Sequence, residues 1–164
     1  KIIELEKYKD PDGITCNCAI IEGGTVGNAV PEKCSFIADF RYSTIEEGKQ
    51  LEEIIKDMCA KSVVEGCSCS WDEISSRPPM ELVDRNVELF EKMNSIFRDC
   101  GLSERVKKAE TGGSDAAYIT IAGIPCVDNT GVVGGRIHSR DEFAYLDSLK
   151  DSAKRMAVVA KFIK

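Results

Sequence analysis

The chain has 164 residues, room for one ordinary domain or two small ones. Apolar residues make up 43% and charged residues 30%, the balance of a soluble globular chain rather than a disordered one. A net charge of −6, with no basic stripe and no RNA-binding aromatic motif, argues against a nucleic-acid partner. No apolar run is long enough to span a bilayer and no signal-peptide pattern occurs, so the expectation is a cytoplasmic protein with no membrane partner. The first residue is Lys1, inside what reads as a helix, whereas a chain translated as it stands begins with methionine; the expectation is a fragment or a processed product.

In chain order, Ile2, Ile3 and Leu5 belong to the end of a helix, closed by the turn Lys9-Asp-Pro-Asp-Gly13. Residues 14–22 read as a strand; Gly23, Gly24 and Gly27 then mark a loop, and Pro31 delays the next strand. Over residues 34–42 the side chains alternate, with Phe36, Ala38, Phe40 and Tyr42 on one face and Ile37, Asp39 and Arg41 on the other. Thr44 and Glu47 have capping-box spacing and open a helix to about Ser62, whose stripe of Leu51, Ile54, Ile55, Met58 and Cys59 packs on a sheet. Its acidic pairs, Glu46-Glu47 and Glu52-Glu53, form a solvated face, and the first also favours the positive end of the helix dipole. Residues 67–75 read as a further strand, and the prolines of Arg77-Pro-Pro79 place a domain boundary between 1–76 and 77–164.

Beyond the prolines, residues 83–100 form a helix with Val87, Phe90, Met93 and Phe97 inward, stopped by Gly101, and 105–109 is a short, charged strand candidate. The turn Gly112-Gly113 runs into Ser114-Asp115 and a helix over 114–122, which Gly123 and Pro125 end. Residues 124–128 are a strand aimed at a loop that holds Gly134, Gly135 and the only histidine, His138. The last helix, about 147–163, is expected to bury Leu149, Ala153, Met156, Ala160 and Ile163. Alternating strands and helices make this an α/β chain, without internal repeats or low-complexity segments.

Two stretches have the makings of a site. A glycine-rich turn feeding a helix leaves backbone N–H groups free to hold an anion, and a histidine in a glycine-flanked loop can reach a metal or a reacting group. Singly, each also reads as a plain helix cap and a solvated loop residue. The eight cysteines (Cys16, Cys18, Cys34, Cys59, Cys67, Cys69, Cys100 and Cys126) raise a disulfide or zinc reading. Cys16 with Cys18, and Cys67 with Cys69, each share one face of a strand, but zinc pairs usually leave two to four residues between ligands. The expectation is therefore small buried thiols in a reducing cytoplasm.

The succession Gly112-Gly-Ser-Asp-Ala-Ala117, Ala122-Gly-Ile-Pro125 and His138-Ser-Arg-Asp-Glu142, followed by an amphipathic helix, resembles one family closely. It is the metallopeptidase family of carboxypeptidase G, acetylornithine deacetylase, succinyl-diaminopimelate desuccinylase and peptidase T. Upstream, Glu22-Gly-Gly-Thr-Val-Gly-Asn-Ala-Val-Pro31 and Ile37-Ala-Asp-Phe-Arg41 resemble the family's lid domain, so that the resemblance covers nearly the whole chain. It implies an α+β lid of β-α-β-β-α-β type lacking its first strand over residues 1–76, and the C-terminal part of an α/β catalytic domain over 77–164. It further implies a parent enzyme that uses zinc, two ions in the family, with cobalt or manganese as alternatives. That enzyme would hydrolyse an amide bond beside a free carboxylate, in a peptide or N-acyl amino acid, and form a homodimer through the lid.

The family holds its metals with an early His-x-Asp pair, a bridging Asp, a Glu pair and a late histidine. His138 matches the late ligand; the other ligands and the Glu that activates the metal-bound water have no counterparts, so the chain alone is expected to be inactive, with no catalytic residue of its own. Asn28 matches the lid asparagine that contacts substrate, and equally reads as a turn residue. Arg41 matches the lid arginine that grips the substrate carboxylate with a bidentate fork, beside a plainer reading as an exposed strand arginine. Gly113 and Ser114 match the turn that hydrogen-bonds a carboxylate or carbonyl, where a simple Ser114 N-cap is the alternative. Asp115 shapes the turn, and Glu142 is an acid behind the ligand rather than a ligand. Two departures stand out: the family's lid histidine has no match, and Gly134-Gly-Arg136 stands where desuccinylases carry an asparagine, which favours a carboxypeptidase or deacylase. The rival readings are a non-catalytic module that self-associates through the lid, and an anion- or phosphate-binding domain at Gly112-Gly113, which lacks the Lys of a P-loop.

Overall fold

The structure is a computed structural model and describes residues 1–10, 13–108 and 113–164. The chain forms two compact units, the first over Lys1–Glu81, the second over Leu82–Ala109 and Ser114–Lys164; Gly113 goes with the first.

In the first unit a short helix α1 (Ile2–Leu5) passes into a 3-10 turn at Glu6–Tyr8. Strands β1 (Thr15–Gly23) and β2 (Cys34–Arg41) then pair antiparallel, Cys16 opposite Phe40 and Cys18 opposite Ala38. A bulge between Cys18 and Ile20 shifts the register so that Ile20 meets Ile37. Helix α2 (Ile45–Ala60) covers one face of this hairpin. Leu5, Cys16 and Met58 are the buried centre, with Phe36, Ala38, Phe40, Ile55 and Cys59 packed around them, so the period-2 and period-3.6 patterns meet as their spacing predicts. The other sheet face leaves Ile20 and Ile37 exposed.

The capping box is formed: Thr44 Oγ1 accepts the Glu47 N–H at 3.1 Å while Glu47 Oε2 accepts the Thr44 N–H at 3.0 Å. Replacing Thr44 with alanine is expected to cost about 1 kcal/mol. Urea unfolding would show it as a lower midpoint with an unchanged slope.

Residues 67–75, expected as a third strand, join no ladder. The chain turns before them: the Ser62 hydroxyl lies 2.7 Å from the Val64 carbonyl and 2.9 Å from that of Cys67, and the Cys67 N–H donates to Val64 at 3.1 Å. Cys67-Ser-Cys-Ser70 is exposed throughout and has no large apolar side chain to bury against a neighbouring strand.

The second unit contains α3 (Asp84–Asp99), α4 (Ala116–Ile121), a two-residue ladder of β3 (Gly134–Gly135) with β4 (Phe143–Ala144), and α5 (Leu146–Phe162). Its core is Met93, Phe97 and Val159, ringed by Leu89, Leu102, Val127, Val158 and Ile163. Helix α3 ends in a Schellman motif: Gly101 takes φ 69°, its N–H reaches Arg98 at 3.0 Å, and the Leu102 N–H reaches the Phe97 carbonyl at 2.8 Å.

Two sequence expectations fail here, for one reason each. The strands expected at 105–109 and 124–128 have no ladder partners among the described residues; Ala109 lies outside them. Side-chain amides on α3 take the backbone bonds instead. Asn94 donates to the Arg105 carbonyl and accepts its N–H, both at 2.9 Å, and Asn86 accepts the Cys126 N–H at 2.9 Å. The buried face of α5 is Ser152, Arg155 and Val159, whereas Leu149, Ala153, Met156 and Ala160 face outward. Arg155 sets that rotation. Its guanidinium donates to Asp151 at 2.7 Å and to the Ser103 carbonyl and hydroxyl at 2.6 and 2.9 Å, and lies 4.9 Å above the Phe97 ring. A buried cation so fully partnered outweighs an apolar stripe in choosing the inward face. The hydrogen bond from Arg155, with the charges of Arg155 and Arg105, holds the Asp151 carboxyl below its ordinary range. Among the described residues no helix is long and apolar enough to cross a membrane.

Candidate functional site

The single histidine sits in the loop of the β3–β4 hairpin. Gly134 pairs with Ala144 and Gly135 with Phe143. A Cβ at Gly134 would fall 2.2 Å from the Phe143 carbonyl oxygen, so that position requires glycine for the strands to close, and one at Gly135 would press the Phe143 ring at 3.0 Å. The loop they launch carries two strained residues, Arg136 at φ 56° and His138 at φ 65°, in the left-handed region that L side chains rarely occupy. Asn129, at φ 54°, adopts the same conformation upstream, where an asparagine tolerates it. Ser139 holds the loop: its N–H and hydroxyl donate to the Arg136 carbonyl at 3.1 and 2.7 Å, and its hydroxyl accepts the Asp141 N–H at 3.2 Å. Arg136 also pairs with Asp141 at 3.6 Å. His138 is exposed at the tip. Glu142 closes the loop through its backbone N–H, which reaches the Ser139 carbonyl at 3.3 Å. Each left-handed non-glycine residue costs on the order of 1–3 kcal/mol, a strain that concentrates at functional sites.

Ser114 is tied in twice. Its hydroxyl donates to Asp128 Oδ2 at 2.5 Å and accepts the Ala116 N–H at 3.1 Å, so it secures the first turn of α4 while Asp115 occupies the N-cap position without a side-chain cap. Asp128 Oδ1 accepts the Asn129 N–H at 2.7 Å, at the residue where the backbone turns left-handed. Asp128 thus fastens the start of α4 to the chain leading into the histidine hairpin. Sequence reasoning passed over it; its signal was the turn sequence Asp128-Asn-Thr-Gly131 immediately after the proline-led stretch. Burial, then the Asp128 charge, pushes the Cys126 thiol up.

In the first unit Asn28 lies in the exposed loop that joins β1 to β2, and Arg41 ends β2 at the other end of the hairpin, its Nε 3.3 Å from Asp39. Arg41 is the last of the eight residues of β2, which rises about 3.4 Å per residue away from that loop, so the two are not brought together by the hairpin. Gly113 is exposed, and a Cβ on it would meet Arg77 Cδ at 3.3 Å. Arg77, part of the domain boundary in the sequence, is thus the arginine laid against Gly113; Gly112 lies outside the described residues.

No group of three or more His, Cys, Asp or Glu side chains gathers to hold a metal ion among the described residues. A structural or catalytic zinc needs three or four protein donors, so the described residues do not by themselves fit such a centre. The cysteines correct another expectation. All eight are free thiols, but only Cys16 is buried; Cys34, Cys67 and Cys69 are exposed, the last two because their stretch joins no sheet. Burial, with Cys18 3.9 Å away, pushes the Cys16 thiol up to about 12.

Residues 2–67 match the family model of the peptidase dimerisation domain. The chain is 24% identical over 147 residues to Carboxypeptidase G2 of Pseudomonas sp. (strain RS-16), a match that covers 90% of this chain and 35% of that protein. It is also similar in structure to aminopeptidase PepT from Bacillus cereus, with a TM-score of 0.73 and 21% identity over 96% of this chain and 43% of that one. The chain therefore spans well under half the length of the relatives it matches.

Proposed function

We propose that this chain, similar throughout to the metallopeptidase family that its glycine turn and late histidine resemble, comprises a lid (1–76) and the C-terminal part of a catalytic domain (77–164) of a zinc-dependent amidohydrolase. The enzyme would cleave an amide bond beside a free carboxylate, in a peptide or N-acyl amino acid. The observation that carries the reading is the strained, exposed His138, held at left-handed φ by a glycine-launched hairpin, at the position where the resemblance expects a metal ligand. It brings one imidazole to a centre whose remaining donors lie outside this chain. The apolar stripe of Leu149 and Met156 on α5, exposed here, is the kind of surface that the rest of such a domain would cover.

On the substrate side, Gly113 and Ser114 present the glycine turn. Because the Ser114 hydroxyl proton is committed to Asp128, the turn would offer a substrate carboxylate or carbonyl its backbone N–H groups rather than that hydroxyl. In the first unit Asn28 and Arg41 are the residues at which the resemblance expects substrate contacts, and Arg77, beside Gly113, is a second arginine that could take the carboxylate. Residues 2–67 match a dimerisation domain, and the exposed Ile20 and Ile37 lie on its uncovered sheet face, which supports a homodimer.

The test is a metal-supplemented amidase assay comparing N-acyl amino acids with the same amides lacking a carboxylate. It would be run on the protein with its remaining metal donors, and on this chain alone for comparison. Arg41→Met is expected to raise KM for the carboxylate substrates by about 10-fold or more and to leave the carboxylate-free amides unchanged, since hydrogen bonds to a charged group contribute about 1.5–3 kcal/mol. The same selective loss in Arg77→Met instead would move the contact to the glycine turn. A dimer that binds neither metal nor carboxylate ligand would replace the hydrolase with the self-association module.

A further inference from the structure

The first unit holds a thiol pair that the proposed hydrolysis does not use. Cys59, on the last turn of α2, packs its side chain against the Leu5–Cys16–Met58 core, and Cys69 lies exposed beyond the turn closed by Ser62. Their sulfurs are 3.3 Å apart. A disulfide requires about 2.05 Å between sulfurs, and these two thiols already lie in contact. We propose that Cys59 and Cys69 are a modification site, forming a reversible disulfide by exchange with a small-molecule disulfide such as oxidised glutathione. The bond would fasten the segment leaving α2 to the helix it has just left.

The exchange balances in two steps. Cys69, exposed, gives up its proton and attacks one sulfur of the oxidant, forming a mixed disulfide and releasing one equivalent of reduced thiol. Cys59 then loses its proton and attacks the Cys69 sulfur, which expels the second equivalent. Two protein thiols are oxidised and one small disulfide is reduced, with no other electron acceptor. Burial pushes the Cys59 thiol up, followed in effect by its hydrogen bond with Cys69, which slows its thiolate chemistry against external disulfides. Contact distance offsets that handicap only for the sulfur beside it. The other close pair is placed differently. Cys16 and Cys18 are two apart on one strand, with Cα atoms about 6.8 Å apart, at the far limit for a disulfide, and Cys16 is buried away from any oxidant.

The experiment incubates the 164-residue chain with oxidised glutathione, blocks the remaining thiols with iodoacetamide, and maps tryptic peptides without reduction. Cleavage after Lys56 and Lys61, with Arg77 protected by Pro78, leaves Cys59 on peptide 57–61 and Cys67 with Cys69 on peptide 62–85. The expected product joins these two peptides, leaves the other six cysteines alkylated, and reverts with dithiothreitol. Cys67→Ser should retain the link, Cys69→Ser should abolish it, and Cys59→Ser should accumulate glutathione on Cys69. A mixed disulfide that persists on Cys69 in the unchanged chain, or a cross-link that survives Cys69→Ser, would overturn the proposal.

Discussion

Replacing Phe97 with alanine is expected to destabilise the second unit by about 3–5 kcal/mol, the range for truncating a buried phenylalanine. Phe97 is 4% exposed, touches Met93 and Val159 at the centre of the core, and supports the Arg155 guanidinium over its ring. Its loss leaves a cavity and removes the aromatic face that offsets the burial of that cation. Against a typical total stability of about 5–15 kcal/mol, this is a large share. The only tryptophan, Trp71, lies in the first unit, so far-UV circular dichroism in urea is the suitable probe. Met156→Ala is the control. Sequence periodicity puts Met156 inward, but it is 44% exposed, and its truncation should cost no more than about 0.5 kcal/mol. Equal losses in the two variants would mean that α5 turns its apolar stripe inward after all.

That contrast shows where sequence reading stops. On α5 two stripes share the helical period: Leu149, Ala153, Met156 and Ala160, or Ser152, Arg155 and Val159. Hydropathy selects the first. The second is chosen by partners distant in sequence, Ser103 and Phe97, which no local pattern contains. The stretches at 105–109 and 124–128 fail similarly. Their composition suits strands, but their backbone bonds are taken by Asn86 and Asn94, whose side-chain amides offer the same donor and acceptor as a peptide group. By contrast, β1, β2 and α2 were legible because their signals are local: alternation at 34–41 and the Thr44–Glu47 box. At the site, Gly134, Gly135 and His138 were legible as a motif. The reasons for the motif were not, because the Phe143 carbonyl beside Gly134 and the left-handed φ of His138 exist only once the hairpin has closed.

On the proposed reading of His138 as a metal ligand, changing it to alanine in the protein with its remaining metal donors is expected to lower kcat/KM by more than about 100-fold, because even residues that only support a metal ligand cost about 10–100-fold when lost. The left-handed backbone makes a second variant decisive. If His138 served only to turn the chain, glycine would do so with less strain, and His138→Gly would be at least as stable and as active as the original. If its imidazole is a ligand, His138→Gly gains stability and still loses activity together with bound metal. Arg136→Gly provides the matching comparison at φ 56°, two residues away on the same loop, where the strain can be relieved without removing an imidazole. Thermal unfolding, metal content and amidase rate of the three variants separate the roles. Stability rising in both glycine variants while activity falls only at position 138 would assign the strain at His138 to placing its ring; unchanged activity in His138→Gly would remove the histidine from the metal centre.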